Sequence, residues 1–125
     1  MGQLIEGKWS SSDEQPTDAS GAFIRPSSKF RNWVTRDGAA GPSGDGGFPA
    51  EAGRYHLFVA SNCPWAHRTV IFRKLKGLEN LISTTLADAP KAEGWSYTAG
   101  LDEMKPRADG IFRLHQVYTW ADPAY

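Results

Sequence analysis

Cysteine is the rarest residue type in this chain of 125 residues, and Cys63 is its single example. One cysteine excludes an internal disulfide and any motif that needs two cysteines within the chain. The N-terminal residues, MGQLIEGKW, lack the basic start and the long apolar region of a signal peptide. These features indicate a reducing compartment, and we expect the cytoplasm.

The sequence also has no excess of positive or of negative charge. Lys plus Arg and Asp plus Glu each number 14, so the net charge is close to zero. We therefore expect no nucleic-acid partner, because such proteins usually carry a basic patch. No apolar stretch approaches the roughly 18 residues of a membrane helix, so we expect no membrane partner. The three histidines are scattered along the sequence, which predicts no metal site.

The first third of the chain is rich in Gly, Ser, Pro and Asp, above all over residues 10–21 and 37–53. Between these stretches lies FRNWV, whose apolar members are candidate contacts with a domain: Phe30, Trp33 and Val34. The glycine-rich run matches the spacing of neither a dinucleotide-binding loop nor a P-loop. At this length we expect one domain, over 54–125, preceded by a long irregular N-terminal arm over 1–53.

The pattern of a β-α-β unit follows the arm. YHLFVA (55–60) is apolar, aromatic and β-branched enough for a buried strand. The turn SNCP leads to a helix that begins at Pro64, where the missing N–H is not needed, and that ends at Gly77. LISTTLA (81–87) predicts a second strand, parallel to the first and joined to it by a right-handed crossover. The predicted class is α/β.

Both predicted helices carry apolar residues at helical spacing. On the first helix they form one stripe: Ala66, Val70, Ile71, Leu75 and Leu78. We expect the basic residues of this helix to lie outside the stripe: Arg68, Arg73, Lys74 and Lys76. The second helix is predicted to begin with Asp109 as its N-cap and to stop at Pro123. Its apolar face comprises Ile111, Leu114, Tyr118 and Ala121.

The position of Cys63, between a strand and a helix, favours a nucleophile. The thiolate is the attacking form of cysteine, and the unpaired N–H groups and dipole at a helix N-terminus favour negative charge. Two alternatives stay open: a small buried core residue, or a metal ligand together with a histidine. The fourth residue of CPWA is Ala66, so an internal disulfide cycle cannot close. A redox cycle at Cys63 needs an external thiol, and glutathione is the obvious cytosolic one.

Several motifs together cover nearly the whole chain: MGQLIEGKW, FRNWVTRDGAAGPSGDGGFPAEAGRYHLFVASNCPWAHRTVIFRKLKGLE, EGWSY and HQVYTWADPAY. On these residues, and on CPWAHR above all, the chain resembles the glutathionyl-hydroquinone reductases, also called Xi-class glutathione transferases. The resemblance implies that 54–125 is an incomplete thioredoxin-like domain. It also implies that family members continue into an all-helical C-terminal domain, which this sequence does not include, and that full-length members are homodimers.

The resemblance further implies a reaction. The Cys63 thiolate attacks the sulfur of a glutathionyl-hydroquinone, the hydroquinone leaves, and a second glutathione resolves the mixed disulfide on Cys63. It implies that Trp95 lies against bound glutathione and that glutathione is the co-substrate. Two other readings remain: a general thioltransferase or dehydroascorbate reductase of the omega type, and a non-catalytic truncated remnant.

The family pattern continues after ADPAY with a Val-Pro-Val-Leu-Trp-Asp-like segment, whose proline neighbours the glutathione backbone, and with a Glu-Ser pair for the γ-glutamyl end. These motifs do not occur in the 125 residues. We therefore expect the chain to be an N-terminal portion of such a protein, with weak or no reductase activity by itself.

Overall fold

The computed structural model describes residues 2–12, 14–88, 93–97 and 110–125. Ten elements occur in chain order: β1 (Gln3–Ile5), β2 (Lys8–Ser10), β3 (Val34–Thr35), β4 (Phe48–Pro49), β5 (Tyr55–Val59), α1 (Pro64–Leu75), β6 (Ile82–Leu86), β7 (Ser96–Tyr97), β8 (Phe112–Arg113) and α2 (Leu114–Ala121). The strands pair as β1 with β2, β3 with β4, β5 with β6, and β7 with β8. None of the helices in this described part is long and apolar enough to cross a membrane.

The β5–α1–β6 unit is the longest continuous piece of regular structure and makes this a mixed α/β fold. β5 and β6 run parallel over five paired positions, from Tyr55 opposite Ile82 to Val59 opposite Leu86. Helix α1 begins at Pro64, and the chain leaves it through Gly77, whose φ of 64° is left-handed. The predicted strands, helix and parallel pairing are therefore confirmed.

The surface of α1 differs from the prediction in two ways. The apolar stripe is only partly covered: Ala66, Val70 and Leu78 are half-buried, whereas Ile71 and Leu75 are 55% and 73% exposed. A sheet of two strands is too narrow to cover the whole helix face. In addition, Arg73 does not stay outside, because its Nε donates to the Ile82 carbonyl oxygen at 2.6 Å. The long apolar stem of arginine lets its charged end reach this carbonyl along the helix surface.

A small aromatic core joins β5 to the β7–β8 pair. Tyr97 and Phe112 lie opposite one another across that pair and are 2% and 5% exposed. The ring of Phe58 on β5 lies 5.4 Å from the ring of Tyr97 and 6.4 Å from that of Phe112. This cluster fixes the segment 93–97 relative to the end of β5, where the candidate nucleophile follows.

Helix α2 begins later than the sequence predicts, and the predicted N-cap is wrong. Its N-cap is Arg113, and a capping box forms in which the Gln116 side chain accepts from the Arg113 N–H at 2.7 Å. Asp109 lies outside the described residues. The segment just before the helix is drawn into an extended conformation, because Phe112 and Arg113 pair with β7. The helix ends at Ala121, two residues before Pro123.

The arm contributes short strand pairs and contacts with α2. Phe30 stacks on Tyr125 at 5.2 Å and on Tyr118 at 6.2 Å, so it contacts the second helix as expected of a domain contact. Trp33 instead packs within the arm, against Gly41. Near the N-terminus, the Gly7 N–H donates to the Tyr125 carbonyl oxygen at 2.9 Å. The division into an arm over 1–53 and a domain over 54–125 stays a prediction.

Removal of the Tyr97 hydroxyl is expected to stabilise the fold. This hydroxyl is buried and has no hydrogen-bond partner among the described residues, which is a costly arrangement. We expect Tyr97→Phe to raise the free energy of unfolding by up to about 1 kcal/mol at neutral pH, as measured by urea titration. The matched control is Tyr55→Phe, which removes a hydroxyl that donates to the Pro49 carbonyl oxygen and should lower stability instead.

Tyr97→Phe should also change how the free energy of unfolding falls at alkaline pH. Burial, assisted by the charge of Tyr118, raises the pKa of Tyr97 to about 12. Above about pH 10 this phenol ionises in the unfolded chain but not in the folded one, so stability is lost as the pH rises from about 10 to about 12. Between about pH 10 and 12, the free energy of unfolding of Tyr97→Phe should fall less than that of the wild type. An equal fall in both proteins would show that Tyr97 does not cause the loss.

Candidate functional site

Cys63 is the N-cap residue of α1. Its backbone is extended, with φ −96° and ψ 110°, and its carbonyl oxygen accepts from the His67 N–H at 3.1 Å. Its own N–H donates to the Ala60 carbonyl oxygen at 3.1 Å, which closes the turn after β5. The half-buried thiol makes no capping hydrogen bond. The side chain therefore sits at the positive end of a helix without being used as a cap.

Trp95 is held beside this turn. Its indole Nε1–H donates to the Asn62 Oδ1 at 3.2 Å, and Asn62 is the residue directly before Cys63. The Trp95 backbone carbonyl oxygen accepts from the N–H of Leu114, at the start of α2, at 2.9 Å. Both side chains that the sequence singles out, Cys63 and Trp95, thus belong to one neighbourhood, although they lie 32 positions apart in the sequence numbering.

Asn62 and Tyr118 are the members of this neighbourhood to which the sequence assigned no function. Asn62 orients the Trp95 indole, and no sequence signal links these two positions. Tyr118 comes from α2, where its spacing indicated only an apolar face. Burial, followed by the charges of Tyr125 and Cys63, raises the pKa of Tyr118. Tyr118 also lies with Trp95 in the wall of one pocket.

An aromatic pocket of about 220 Å³ opens beside Trp95, between the β1–β2 pair and α2. Its side-chain walls include Trp9, Trp95, Leu114, His115, Tyr118 and Tyr125. The rings of Trp9 and His115 stack with centroids 4.6 Å apart and planes inclined by 17°. Gly94 borders the pocket at φ +83°, where a Cβ would lie 3.0 Å from the Trp9 ring, so glycine is required there.

Two other side chains near the start of α1 face solvent. His67 is exposed. Trp65 is 61% exposed, with the Arg68 guanidinium 4.5 Å above its ring. Within the described ranges, no three His, Cys, Asp or Glu side chains are grouped as a metal site would require.

Comparison with known proteins gives a consistent set of relatives, although no family model matches the chain. The chain is 48% identical to glutathionyl-hydroquinone reductase YqjG of Escherichia coli K12, in a match that covers all of the chain and 39% of YqjG. It is 40% identical to glutathionyl-hydroquinone reductase PcpF of Sphingobium chlorophenolicum, covering all of the chain and 37% of PcpF. The glutathione-bound structure of YqjG superposes with a TM-score of 0.70 at 42% identity, over 98% of the chain and 35% of that structure.

The chain is homologous to the N-terminal part of the glutathionyl-hydroquinone reductases. The resemblance seen in the sequence is thereby confirmed for this family, the Xi-class glutathione transferases. The chain spans between a third and two fifths of the length of the reductases that it matches. The β5–α1–β6 unit with Cys63, and the segment with Trp95, both fall inside the portion that superposes on the YqjG structure, because that portion is nearly the whole chain.

The hydrogen bond between Asn62 and Trp95 can be tested without any substrate. Asn62→Ala should expose the Trp95 indole N–H and accelerate its hydrogen exchange about fivefold, since a hydrogen bond of this kind contributes about 1 kcal/mol. Asn62→Asp keeps an acceptor oxygen and is the matched control. The measurement is exchange of the five indole N–H signals by NMR, with Trp95→Phe to assign the signal. Equal exchange in the wild type and Asn62→Ala would show that the bond does not hold the indole.

Proposed function

We propose that this chain forms the thioredoxin-like, cysteine-bearing part of a glutathione-dependent reductase of glutathionyl-hydroquinones, with Cys63 as nucleophile and Trp95 as a glutathione contact. The observation that carries the proposal is the placement of Cys63 at the start of α1 beside a tryptophan that its neighbour Asn62 orients. Homology to two reductases of this specificity supports the substrate class. The glutathione in the YqjG structure supports glutathione as the ligand.

The proposed first step is attack of the Cys63 thiolate on the sulfur of the conjugate. A new S–S bond forms, the bond between that sulfur and the ring carbon breaks, and its electron pair stays on the carbon, which takes up a proton. The ring is reduced to the free hydroquinone, and the two sulfurs are oxidised to a mixed disulfide between Cys63 and glutathione. A thiolate is the required attacking form, and the N-terminus of α1 stabilises it through its dipole and free N–H groups.

The proposed second step regenerates the enzyme. A second glutathione thiolate attacks the mixed disulfide, glutathione disulfide leaves, and the Cys63 thiolate is restored. Cys63 is the single cysteine of these 125 residues, so the resolving thiol of the proposed step is that of glutathione. A reducing compartment supplies this thiol, in line with the cytoplasm expected from the sequence.

Trp95 and Tyr118 suit the two ends of such a substrate. A flat indole fixed by a hydrogen bond at its edge leaves its face available for the glutathione peptide. Tyr118 lines the same pocket as Trp95, and burial, followed by the charges of Tyr125 and Cys63, raises the pKa of its phenol. The aromatic walls of the adjoining pocket are compatible with a substrate that carries a ring.

Transfer of glutathione to Cys63 is the most direct test. Incubation of the chain with a glutathionylated naphthohydroquinone should add one glutathione to Cys63, seen by mass spectrometry, and release the free hydroquinone in a slow single turnover, in keeping with the weak activity expected of the chain by itself. Cys63→Ser should show neither product. His67→Ala, on the exposed side of the same helix, is the matched control and should react like the wild type. The readout is a single turnover, so it does not depend on how efficiently a second glutathione completes the cycle.

Replacement of Trp95 by alanine should slow this transfer about tenfold at subsaturating conjugate, which corresponds to the loss of about 1.4 kcal/mol of binding. Trp95→Phe keeps a flat ring but loses the bond to Asn62, so its transfer rate should lie between those of the wild type and Trp95→Ala. The measurement is the rate of hydroquinone release.

A mixed disulfide of glutathione serves as a second substrate, which distinguishes the alternative functions. A much faster reaction with it would favour the general thioltransferase, and no adduct with either substrate would favour the non-catalytic remnant.

A further inference from the structure

An ion pair joins Glu93, two residues before Trp95, to Arg113, which pairs with Ser96, the residue after Trp95. Arg113 is 6% exposed, and its Nε and Nη2 lie 3.1 Å and 3.0 Å from the same oxygen, Oε2 of Glu93. Glu93 precedes Trp95 by two residues, and Arg113 is the N-cap of α2. We propose that the Glu93–Arg113 pair is a positioning device that fixes Trp95 for glutathione recognition, an inference that rests on the proposed function.

The pair is rigid for a physical reason. The Arg113 side chain is almost fully removed from water, whereas the Glu93 side chain is 46% exposed. A buried guanidinium is costly unless its donors meet an acceptor, so the position of Arg113 is tied to that of the Glu93 carboxylate. Both contacts go to one carboxylate oxygen and join opposite charges, which makes them stronger than hydrogen bonds between neutral groups. The carboxylate is therefore a fixed point for the segment that carries Trp95.

Several further contacts connect the Glu93–Arg113 pair to the backbone of Trp95. On one side, Glu93 is joined to Trp95 through Gly94, whose left-handed backbone lies beside the Trp9 ring with no room for a larger residue. On the other side, Ser96 pairs with Arg113 itself, across β7 and β8. The Leu114 N–H, one residue after Arg113, donates to the Trp95 carbonyl oxygen. The backbone of Trp95 is thus held from both directions by a frame centred on Arg113.

Trp95 and Asn62 connect this frame to Cys63, the candidate nucleophile. The indole, once its backbone is fixed, reaches Asn62 Oδ1 and so lies beside the residue that precedes Cys63. Loss of the ion pair should loosen the indole and weaken recognition of glutathione. The intrinsic reactivity of Cys63 should be retained, because the turn and helix that position it belong to β5 and α1.

The test uses the 125-residue chain and glutathione disulfide. Cys63 thiolate attacks one sulfur of this disulfide, a Cys63–glutathione disulfide forms and one glutathione thiolate leaves, so no other oxidant is needed. The rate is measured against the disulfide concentration, which separates the half-saturating concentration from the limiting rate. The rate of Cys63 alkylation by iodoacetamide, a small reagent without a glutathione moiety, is measured in parallel.

Glu93→Gln keeps an acceptor but removes the charge, and Arg113→Lys keeps the charge but not the paired donors. We expect both to raise the half-saturating concentration about fivefold, a size common for coupled neighbours, with the limiting rate and the iodoacetamide rate within about twofold of the wild type. Arg54→Gln is the matched control. It breaks the exposed Glu51–Arg54 pair, also 3.0 Å long, and should change neither quantity.

The outcomes separate this inference from the function on which it rests. If Trp95→Ala raises the half-saturating concentration but Glu93→Gln and Arg113→Lys do not, the positioning role is overturned and the proposed function stands. If the wild type shows no saturation and Trp95→Ala reacts like it, the proposed function fails, and the inference with it. Should Glu93→Gln not fold, Glu93→Asp decides: it keeps the charge on a shorter side chain, and an unchanged half-saturating concentration overturns the proposal.

Discussion

The parallel pairing of β5 with β6 is the constraint on which the candidate site depends. It ends β5 at Val59, and the chain must then turn to enter α1, which places Cys63 at the first turn of that helix. Val59 and Ala60 are buried at this point, so the end of the strand cannot shift without exposing apolar surface. The location of the thiol is therefore a consequence of strand pairing and burial, and not of any hydrogen bond made by the thiol.

A second set of contacts supplies everything else around Cys63, and it comes from segments that are remote in sequence. The Phe58 ring anchors Tyr97 and Phe112, and these two residues belong to the strand pair that holds Trp95. The site thus consists of one locally determined part, the turn with Cys63, and one part assembled by tertiary packing. The position of Trp95 depends on both parts, because its indole is bonded to Asn62 in the turn and its backbone to Leu114.

The difference between local and remote contacts also explains what the sequence could predict. The strands at 55–60 and 81–87 and the helix from Pro64 follow from local composition and chain-direction rules, and the structure contains all three. The start of α2 was misplaced because Phe112 and Arg113 are drawn into a strand by residues 96 and 97, a pairing that no local pattern encodes. The burial of the Arg113 side chain has the same origin.

The homology to glutathionyl-hydroquinone reductases and the structure answer different questions about Trp95. The sequence motif EGWSY indicated its importance only through the family. The structure adds a physical account, in which a hydrogen bond to Asn62 and a backbone contact with Leu114 fix its position. Arg73 shows the converse case, since its charge indicated a solvent-exposed position and its contact with the Ile82 carbonyl could not be read from periodicity.

The stack of Trp9 on His115, together with the bond from Gly7 to Tyr125, has a consequence for the order of events on the ribosome. The β5–α1–β6 unit can form as soon as residue 86 has left the exit tunnel, because both paired strands and the helix between them are by then available. The β1–β2 pair, although it is synthesised first, has no ring to stack on until α2 emerges, and closing so long a loop comes late. During synthesis the nucleophile is therefore in place before the aromatic walls beside it close.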